Sequence, residues 1–286
     1  MDSFTITKEF VAERIPPRSR DSHKGMNGTA CIVGGGRIYH GAPYLAAMGA
    51  LRTGLDLVYA AVPALIAPSI RALSPDIIVY PMPDSKLTRG NANRLAGWLP
   101  ELGCIAVGPG LGPQNPAELT HALTKLASKS KTLVVDADAL RPSILPVASV
   151  AKMVVTPHAG EFERLFGVKL ELETGVRAVR VMKTAGEHRL TILAKGTVDV
   201  VSDGERVALN GVHSPAMTVG GTGDVLTGVT AGLVAKGLEP FDAACCAAFI
   251  NGLAGVGAAL ELGLHITASD VLRHIPSAMK QFDRLI

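Results

Sequence analysis

The stretch "TVGGTGDVLTGVTAGL", residues 218–233, decides the fold prediction. A glycine-rich start leads into apolar residues at helical spacing: Val225, Leu226, Val229, Leu233 and Val234. The glycines therefore form a loop at the N-terminus of a helix, where backbone N–H groups are unpaired and the helix dipole is positive. Because glycine has no side chain, an anion can approach these amides closely. The stretch predicts an anion-binding loop of an α/β protein.

Asp224 closes this loop, and two interpretations of it are open. An aspartate at a helix start can simply cap the helix. Capping, however, requires no run of glycines. In the order Gly221, Thr222, Gly223, Asp224, backbone donors face a transferring phosphoryl group while the carboxylate lies within reach of the attacking hydroxyl. We therefore predict that Asp224 is both the start of the helix and a catalytic base, and that the three preceding residues form an anion hole.

Outside this stretch, strand-like runs alternate with segments long enough for helices. The runs are continuously apolar, which is typical of strands buried on both faces of a mostly parallel sheet with helices on both faces. They are "TACIVGG", "LDLVYAAV", "DIIVYP", "CIAVGPG", "TLVVDAD", "KMVVTP" and "LTILAKG". The segment "VDVVSDGERVALN" alternates around Asp203-Gly204 and predicts a hairpin, so antiparallel strands should join late in the chain. We predict one domain over residues 1–286, with residues 1–20 as an N-terminal lead-in.

Nearly every strand-like run ends in a loop rich in glycine, proline, aspartate or histidine. In doubly wound sheets, ligands bind beyond the carboxyl ends of the strands, so these loops should converge on one site. Two common phosphate motifs are absent from them. Residues 36–41 have the glycine spacing of a P-loop, but Ala42-Pro43 stand where lysine and serine or threonine are needed, and G-x-G-x-x-G does not occur.

The composition excludes several classes of protein. Apolar residues make up 48% of the chain and charged residues 19%, which supports a sizeable core and argues against disorder. The net charge is only +3 and the basic residues are scattered, so nucleic-acid binding has little support. The four cysteines lack C-x-x-C spacing and suit a reduced, cytoplasmic setting. The N-terminus has no signal-peptide pattern, and we expect residues 243–260 to form a buried core helix rather than a membrane span.

Other polar residues at the strand ends each have an ordinary and a functional interpretation. Lys24 is either a solvated charge or a phosphate contact. Lys195-Gly196 alone is typical of a strand-end turn. Asp136 and Asp138 can cap the next helix; capping is favoured for Asp138, whereas Asp136, which closes a buried strand, is the better candidate for organising water or Mg²⁺.

The ordered set of loop motifs resembles the ribokinase-like superfamily, which places a G-x-G-D anion hole and aspartate base at this point. More closely, it resembles the ADP/ATP-dependent NAD(P)H-hydrate dehydratases, which repair hydrated nicotinamide cofactors. The motifs that carry this resemblance span almost the whole chain: "SHKGMNGTACIVGGG", "YHGAPYLAAMGALRTGLDLVYAAVP", "VGPGLG", "VVDADAL", "TPHAGEFERL", "AKGTVD" and "GGTGDVLTG".

The resemblance implies roles for individual residues. Those expected to contact the hydrated cofactor, NAD(P)HX, are Ala42, Gly110, His158 and Asp224. Those expected to bind the adenine nucleotide are Lys195, Gly196, Thr197, Val198, Asp199 and Gly223. Asp224 would be the base, and His23, Lys24 and Gly25 match the HKG signature of the family.

The segment Pro157-His158-Ala159-Gly160-Glu161 departs from the wider superfamily, which has P-N-x-x-E with the glutamate acting through water on Mg²⁺. An isolated histidine is usually a packed or hydrogen-bonded side chain. The P-H-x-G-E form resembles the bacterial and archaeal dehydratases that use ADP, so the resemblance favours ADP over ATP as phosphoryl donor. It also implies that Glu161 and Asp136 contribute to Mg²⁺ binding through water.

The resemblance therefore implies a hydro-lyase that restores NAD(P)H from its S-hydrate and releases AMP and phosphate. Two alternatives stay open: a small-molecule kinase of the same superfamily, and a nucleotide-binding relative without turnover. The implied partners are the small-molecule substrate, further copies of the chain in a homo-oligomer such as a tetramer, and a separate NAD(P)H-hydrate epimerase. The short segment before the HKG loop leaves no room for an epimerase domain.

Overall fold

The computed structural model of the protein describes residues 3–84 and 86–286, and its strands form one ten-stranded sheet. The strands are β1 Ser3–Thr5, β2 Thr29–Val33, β3 Leu57–Pro63, β4 Ile78–Met82, β5 Cys104–Val107, β6 Thr132–Val135, β7 Lys152–Val155, β8 Thr191–Ala194, β9 Asp199–Ser202 and β10 Val207–Asn210. Every apolar run that the sequence predicts as a strand contains one of them.

Helices connect most of these strands. They are α1 Lys8–Arg14, α2 Gly41–Leu51, α3 Ala67–Leu73, α4 Arg89–Trp98, α5 Pro116–Leu126, α6 Ala159–Phe166, α7 Thr174–His188, α8 Thr222–Ala235, α9 Pro240–Leu262 and α10 Ala268–Lys280. Short 3₁₀ turns lie at Ala137–Ala139, Pro142–Ser149 and Pro215–Thr218. Helix α1 lies within the N-terminal lead-in.

The strand order across the sheet is β1-β10-β9-β8-β7-β6-β5-β2-β3-β4. Neighbouring strands pair in parallel except at β9, which runs antiparallel to both β8 and β10. The predicted hairpin at Asp203-Gly204 is confirmed, and so is the expectation of antiparallel pairing late in the chain: among the described strands, β9 is reversed and pairs antiparallel with β8 and β10. The edge strand β1 was not predicted.

Alternate residues of each central strand enter two separate cores. Ala30 and Ile32 of β2 pack into one core, and Cys31 and Val33 into the other. Apolar residues of α2, α8, α9 and α10 fill the first core, and those of α4, α5, α6 and α7 fill the second. The continuous apolar runs are explained by this burial on both faces, and the predicted α/β class is confirmed.

Helix α9 is long and apolar enough to cross a bilayer by length and composition, yet 72% of its most apolar window is buried inside the protein. It packs against α8 and α10 and against the β7–β10 side of the sheet. The expectation of a core helix at residues 243–260 is confirmed.

Successive strands are added on one side of β2 up to β4 and on its other side from β5 onward, although β2 and β5 themselves run parallel. Strands β2, β3 and β4 progress towards one edge, whereas β5 to β8 progress from the other side of β2. Two glycine-rich loops therefore leave the sheet side by side, and an ideal Cβ on Gly34 would lie 2.3 Å from the Pro109 carbonyl oxygen. Such a switch point is where doubly wound sheets bind ligands.

Candidate active site

The N-terminus of α8 is an open backbone anion site. Gly221 precedes the helix in the left-handed region, with φ 97°, and no side chain caps the first turn. An ideal Cβ on Gly221 would lie 2.8 Å from both Leu45 Cδ1 and Ala268 Cβ, so glycine is required here for space and for conformation. The first backbone amides of the helix, at Thr222 and Gly223, have no intrahelical acceptor. They can accept an anion, as the sequence predicts.

Asp224 lies inside the first turn of α8 rather than at its start, because the cap position belongs to Gly221. The predicted dual role therefore needs correction: Asp224 does not cap the helix. Thr222, the residue that begins it, donates its hydroxyl to the carbonyl oxygens of Met217 and Val219 at 3.0 and 3.2 Å, and so ties the glycine loop to the preceding turn.

The carboxyl of Asp224 has an unusual proton affinity. Burial, reinforced chiefly by the nearby negative charge of Asp136, raises its pKa to about 7. Asp138 and Glu161 act in the same direction, and Lys195 opposes them. A carboxyl whose pKa lies near neutrality is suited to take up and release a proton at physiological pH.

Lys195 is the cation that ties the acidic groups together. Its Nζ lies 3.0 Å from Asp136 Oδ1 and 3.5 Å from Glu161 Oε2. Burial works against the charged amine, but the two carboxylates outweigh it and raise the pKa of Lys195. Lys195, which sequence alone assigns as easily to a simple turn, is thus a fixed positive charge beside Asp224.

Thr227 is a site residue that sequence analysis missed. Its hydroxyl donates to Asp136 Oδ2 at 2.6 Å and to the Gly223 carbonyl oxygen at 3.0 Å. The sequence feature that could have identified Thr227 is a threonine three residues after Asp224 in an otherwise apolar helical stretch. Together with Lys195, Thr227 engages both carboxylate oxygens of Asp136, so Asp136 holds Lys195 in place.

His158 and Glu161 form a reciprocal cap at the start of α6. The ring Nδ1 of His158 accepts from the Gly160 and Glu161 amides at 3.1 and 3.3 Å, and Glu161 Oε2 accepts from the His158 amide at 2.9 Å. This arrangement explains the P-H-x-G-E sequence locally. The other ring nitrogen, Nε2, lies 3.5 Å from Glu161 Oε1, and the His158 side chain is 61% exposed.

The "DADAL" turn links two strand ends of the site. Asp138 Oδ2 accepts from the Gly112 amide at 2.8 Å, so this side chain ties the β5 and β6 loops together. Neither Asp136 nor Asp138 caps the 3₁₀ turn, and the capping interpretation of both is wrong. Ala137 adopts φ 53°, a strained value for a residue other than glycine, and its carbonyl oxygen accepts from Arg164 at 2.9 Å.

The K-G-T-V-D segment, residues 195–199, turns tightly at the end of β8. Asp199 Oδ1 accepts from the Gly196 amide and Oδ2 from Asn210 Nδ2, each at 3.0 Å. Arg177, which sequence analysis missed, donates to the Val198 carbonyl oxygen from α7. Asp199 and Val198 thus shape this loop, which leaves Thr197 and Gly196 to face outward.

A cavity of about 310 Å³ adjoins this loop and the start of α8. We call it the nucleotide cavity. Of the predicted nucleotide-binding residues, it is lined by Lys195, Gly196, Thr197, Asp199 and Gly223, but not by Val198. The rest of its wall comes from residues 212–218, from Thr222 and Leu226 of α8, and from α9.

Two of the predicted substrate residues, Ala42 and Gly110, lie close to each other. An ideal Cβ on Gly110 would lie 3.0 Å from Ala42 Cβ and 2.5 Å from the Tyr39 carbonyl oxygen. Gly110, at φ 68°, is therefore close to the start of α2 and cannot carry a side chain without displacing it. The exposed Tyr39 side chain borders the same place.

Lys24 is not brought to this site. Its loop is held by Asp56, which accepts from the Gly25 amide at 2.7 Å, and an ideal Cβ on Gly28 would lie 2.3 Å from the Ala235 carbonyl oxygen. Ala235 ends α8, whereas Asp224 lies in its first turn, about 15–20 Å away along the helix. The fold of one chain therefore does not support the predicted phosphate contact of Lys24.

The described residues contain no group of three or more histidine, cysteine, aspartate or glutamate side chains arranged to hold a metal ion by themselves. Asp136 is engaged by Lys195 and Thr227, and Glu161 by Lys195 and the His158 amide. Asp136, Asp138 and Glu161 all place negative charge beside Asp224, and carboxylate oxygens are among the ligands that Mg²⁺ takes in proteins.

The switch point, the open helix terminus and Asp224, whose pKa is raised to about 7 beside Lys195, are features of a ribokinase-like α/β protein. Within that class, the chain belongs to the NAD(P)H-hydrate dehydratase family, whose model matches residues 30–277.

Known proteins of this family match over the full chain. An ADP-dependent (S)-NAD(P)H-hydrate dehydratase of Cenarchaeum symbiosum is 49% identical over 98% of both chains. A bifunctional NAD(P)H-hydrate repair enzyme of Pyrobaculum aerophilum is 42% identical, over 93% of this chain and 53% of its own length. The ADP/ATP-dependent NAD(P)H-hydrate dehydratase of Bacillus subtilis, co-crystallised with ATP and Mg²⁺, superposes with a TM-score of 0.85 at 27% identity, over 99% of this chain and 100% of its own.

Proposed function

We propose that the protein dehydrates the S-form of hydrated NAD(P)H, with ADP as the phosphoryl donor, and releases NAD(P)H, AMP and phosphate. The observation that carries this proposal is the pKa of Asp224, raised to about 7, at the open N-terminus of α8. The near-full-length similarity to an ADP-dependent dehydratase supports the choice of substrate and donor.

The first step of the proposed reaction turns a poor leaving group into a good one. The hydrate carries a hydroxyl on the ring carbon beside N1, and hydroxide leaves poorly at neutral pH. Asp224 takes the proton of this hydroxyl. At the same time the hydroxyl oxygen of the hydrate attacks the terminal phosphoryl group of ADP, and AMP leaves. The unpaired amides of Gly223 and its neighbours stabilise the charge that develops on the phosphoryl oxygens.

In the second step the carbon–oxygen bond breaks and phosphate departs with the bonding electrons. The lone pair of ring N1 assists, and loss of the proton from the neighbouring ring carbon restores the reduced nicotinamide. Phosphorylation is thus a means of activation, and the phosphorylated hydrate does not accumulate. This collapse distinguishes the proposed reaction from that of a kinase, whose phosphoester is the final product.

Different residues around the site are proposed to bind the two ligands. We propose that Ala42, Gly110, His158 and Asp224 contact the hydrated cofactor, and that the 195–199 loop and Gly223 bind the adenine nucleotide. Ala42 and Gly110 do not line the nucleotide cavity, which leaves them available for a second ligand.

Mg²⁺ is proposed to enter with the nucleotide and to be held through water by Glu161 and Asp136. When bound, it would neutralise phosphate charge during transfer. Lys195 already supplies one fixed positive charge at this place, since its Nζ lies 3.0 Å from Asp136 and 3.5 Å from Glu161.

An absorbance assay tests the proposed function. Purified protein is mixed with hydrated NADH, Mg²⁺ and ADP, and recovery of the reduced-nicotinamide absorption band is followed, with ATP in a parallel reaction. We expect recovery with ADP, together with one AMP and one phosphate per nicotinamide restored. No recovery with either nucleotide would overturn the proposal, and a stable phosphorylated hydrate would indicate a kinase.

The surroundings of this activity are further proposals. We propose that the chain acts as a single domain, in the cytoplasm, as a homo-oligomer such as a tetramer. The relative from Pyrobaculum aerophilum is named a bifunctional repair enzyme and is nearly twice as long as the part matched here. This supports a separate epimerase as the partner that would supply the S-hydrate.

A further inference from the structure

Two adjoining cavities lie beside the loops that precede β2 and β3, at the opposite end of α8 from Asp224. One has a volume of about 390 Å³ and the other about 580 Å³, and Arg18, Asn27 and Leu285 line both. Lys236, which follows the last turn of α8, lines the smaller one. We call the two together the basic cavity. It shares no lining residue with the nucleotide cavity.

The wall of the basic cavity carries a surplus of positive charge. Among the described residues, five cationic side chains line it, against two carboxylates. The cations are Arg18, Arg20, Lys24, Lys236 and Arg284, and the carboxylates are those of Asp56 and Asp283. This surplus is as large as the net charge of the whole chain, +3. The basic residues that look scattered along the sequence are thus concentrated here by the fold.

The carboxylates do not neutralise this wall. Asp56 Oδ1 accepts from Arg18 Nη2 at 3.2 Å and from Asn27 Nδ2 at 2.9 Å, and Oδ2 accepts from the Gly25 and Asn27 amides at 2.7 and 2.9 Å. Both oxygens of Asp56 are therefore engaged. In the described part of the chain, no carboxylate lies within 4.0 Å of the Arg20, Lys24 or Lys236 side-chain nitrogens.

Lys236 and Arg18 bring their charges to the same turn. Lys236 Nζ donates to the Thr53 carbonyl oxygen at 3.0 Å, and Arg18 Nη2 donates to the Gly54 carbonyl oxygen at 3.3 Å. Burial and then the charge of Arg18 lower the pKa of Lys236, and Asp283 opposes this. Like charges held near each other repel, and an anion bound beside both relieves the repulsion.

The backbone that carries Arg18 is fixed by the end of the chain. The Arg18 amide donates to the Arg284 carbonyl oxygen at 2.8 Å, the Ile286 amide to the Arg18 carbonyl oxygen at 3.0 Å, and the Arg20 amide to the Ile286 carbonyl oxygen at 2.8 Å. A lysine at the C-terminus of a helix is favoured by the helix dipole, which accounts for Lys236 alone. It does not account for the arginine that this pairing holds beside Lys236.

We propose that the basic cavity binds a phosphate monoester of nucleotide size, with its phosphate held by Lys236 and Arg18. Arginine and lysine are the side chains that recognise phosphate through charge-assisted hydrogen bonds. Inorganic phosphate would leave most of the 390 Å³ empty, whereas this volume is in the range of small-molecule sites, roughly 300–1,000 Å³. AMP has the required chemistry and is a product of the proposed reaction, so it serves as the probe.

The test is an NMR titration of the isotopically labelled full chain with AMP, adenosine and inorganic phosphate, each in the absence of hydrated cofactor. The backbone amide of Gly54 reports on the basic cavity, and that of Gly223 on the nucleotide cavity. We expect AMP to shift the Gly54 resonance with saturation. Adenosine, which has no phosphate, should leave it in place, and inorganic phosphate should bind roughly tenfold more weakly or less.

Two variants remove the charges that hold the phosphate. Lys236→Met and Arg18→Gln should each weaken the AMP response of Gly54 by roughly tenfold or more, because a charge-assisted hydrogen bond is lost. The matched control is Lys125→Met. Lys125 also lies in the last turn of a helix, α5, and lines a cavity, but that cavity has no arginine in its wall. This variant should respond to AMP as the wild type does.

An unmoved Gly54 resonance with AMP, an equal response to adenosine, or equal affinities for AMP and inorganic phosphate would each overturn the proposal. So would wild-type affinity in both Lys236→Met and Arg18→Gln. The unperturbed amide spectrum of α9 shows that a variant is folded. The result does not depend on turnover: a chain that binds AMP here but restores no reduced nicotinamide would contradict only the proposed function.

Discussion

The carboxyl group of Asp224 is the proposed general base of the site. Its backbone helps to form the anion-binding terminus of α8, and its side chain lies among Asp136, Asp138 and Glu161, with Lys195 as the compensating charge. An ordinary aspartate would be too weak a base at neutral pH to accept a hydroxyl proton efficiently. Burial, reinforced by the surrounding negative charge, raises the pKa of Asp224 and makes it a stronger base, at the expense of folding stability.

The rate of the dehydration should therefore increase with pH, as expected for catalysis by a general base. Because Asp224 acts in its deprotonated form and its pKa is about 7, kcat/KM should rise with pH through neutrality and level off above it. The measurement is an initial-rate profile at saturating ADP and low hydrated NADH. A flat profile through the neutral range would contradict the assigned base.

Asp224→Asn should abolish turnover and spare nucleotide binding. Loss of a general base lowers kcat by roughly 10²–10⁴-fold, whereas the backbone amides that hold phosphate stay in place. Single-turnover kinetics and calorimetric titration with ADP measure the two effects separately. Wild-type activity in this variant would refute the role of Asp224, and loss of ADP binding would show that the side chain serves the loop instead.

The same variant should be more stable than the wild type at alkaline pH. The folded pKa of Asp224 is raised above the unfolded value of about 3.8, so the native state binds more protons between pH 4 and 7 and loses stability as pH rises through that window. In the Asp224→Asn variant this loss of stability with rising pH does not occur, because asparagine does not ionise. We expect a gain of about 1–3 kcal/mol at pH 8 that disappears near pH 4, measured by urea unfolding.

The control for this stability experiment is Glu13→Gln, because Glu13 is an exposed surface carboxylate, 75% accessible. Its unfolding free energy should follow that of the wild type at both pH values. An Asp224→Asn variant that behaves like Glu13→Gln would show that Asp224 is an ordinary carboxyl group.

Among the elements, α8 depends most on residues without side chains. An ideal Cβ on Gly228 would lie 2.0 Å from the Ala46 carbonyl oxygen, and one on Gly49 would lie 2.8 Å from the Val225 carbonyl oxygen. The helix that carries Asp224 and the helix that begins beside Ala42 are therefore in backbone contact. Their separation fixes the distance between the base and the substrate side of the site.

Gly228→Ala should break this contact. The new methyl group has no room, and overpacking of this kind costs roughly 1–3 kcal/mol or more, so the unfolding free energy should fall and kcat should fall with it. Gly97→Ala is the matched control, since an ideal Cβ there meets nothing within 4 Å in α4. That variant should be neutral or slightly stabilised, because alanine favours helix more than glycine does. Equal stability of both variants would contradict the close packing.

At the scale of the whole molecule, local sequence patterns predicted the sheet well, and its strand ends bring several of the predicted site residues together. A short, continuously apolar run is typical of a parallel strand that is buried on both faces of the sheet. Once the strands are identified, the loops at their carboxyl ends are the ones expected to lie close together. Asp224, Lys195 and Gly223 lie together for this reason. The parallel edge strand β1 escaped prediction because three residues carry too little pattern.

Side-chain partners could not be predicted in the same way, because they come from distant parts of the chain. Thr227 and Asp136 are ninety-one residues apart. Arg177 reaches the 195–199 loop from another helix, and the capping role of His158 appears only when the ring is seen beside two backbone amides. Lys24 precedes β2, so its loop lies at the amino end of that strand, whereas the candidate site forms at the carboxyl ends of the strands.

The contact between α2 and α8 also determines how the molecule can move. Two helices whose backbones touch through glycine cannot slide or part without losing the packing that holds both, so they behave as one rigid body on every timescale shorter than unfolding. Any closure around the two ligands is left to the segments that border them, residues 34–40 and 211–218. Amide hydrogen exchange should therefore slow in these two loops on ligand binding, while the facing surfaces of the helices are already fully protected in the free enzyme.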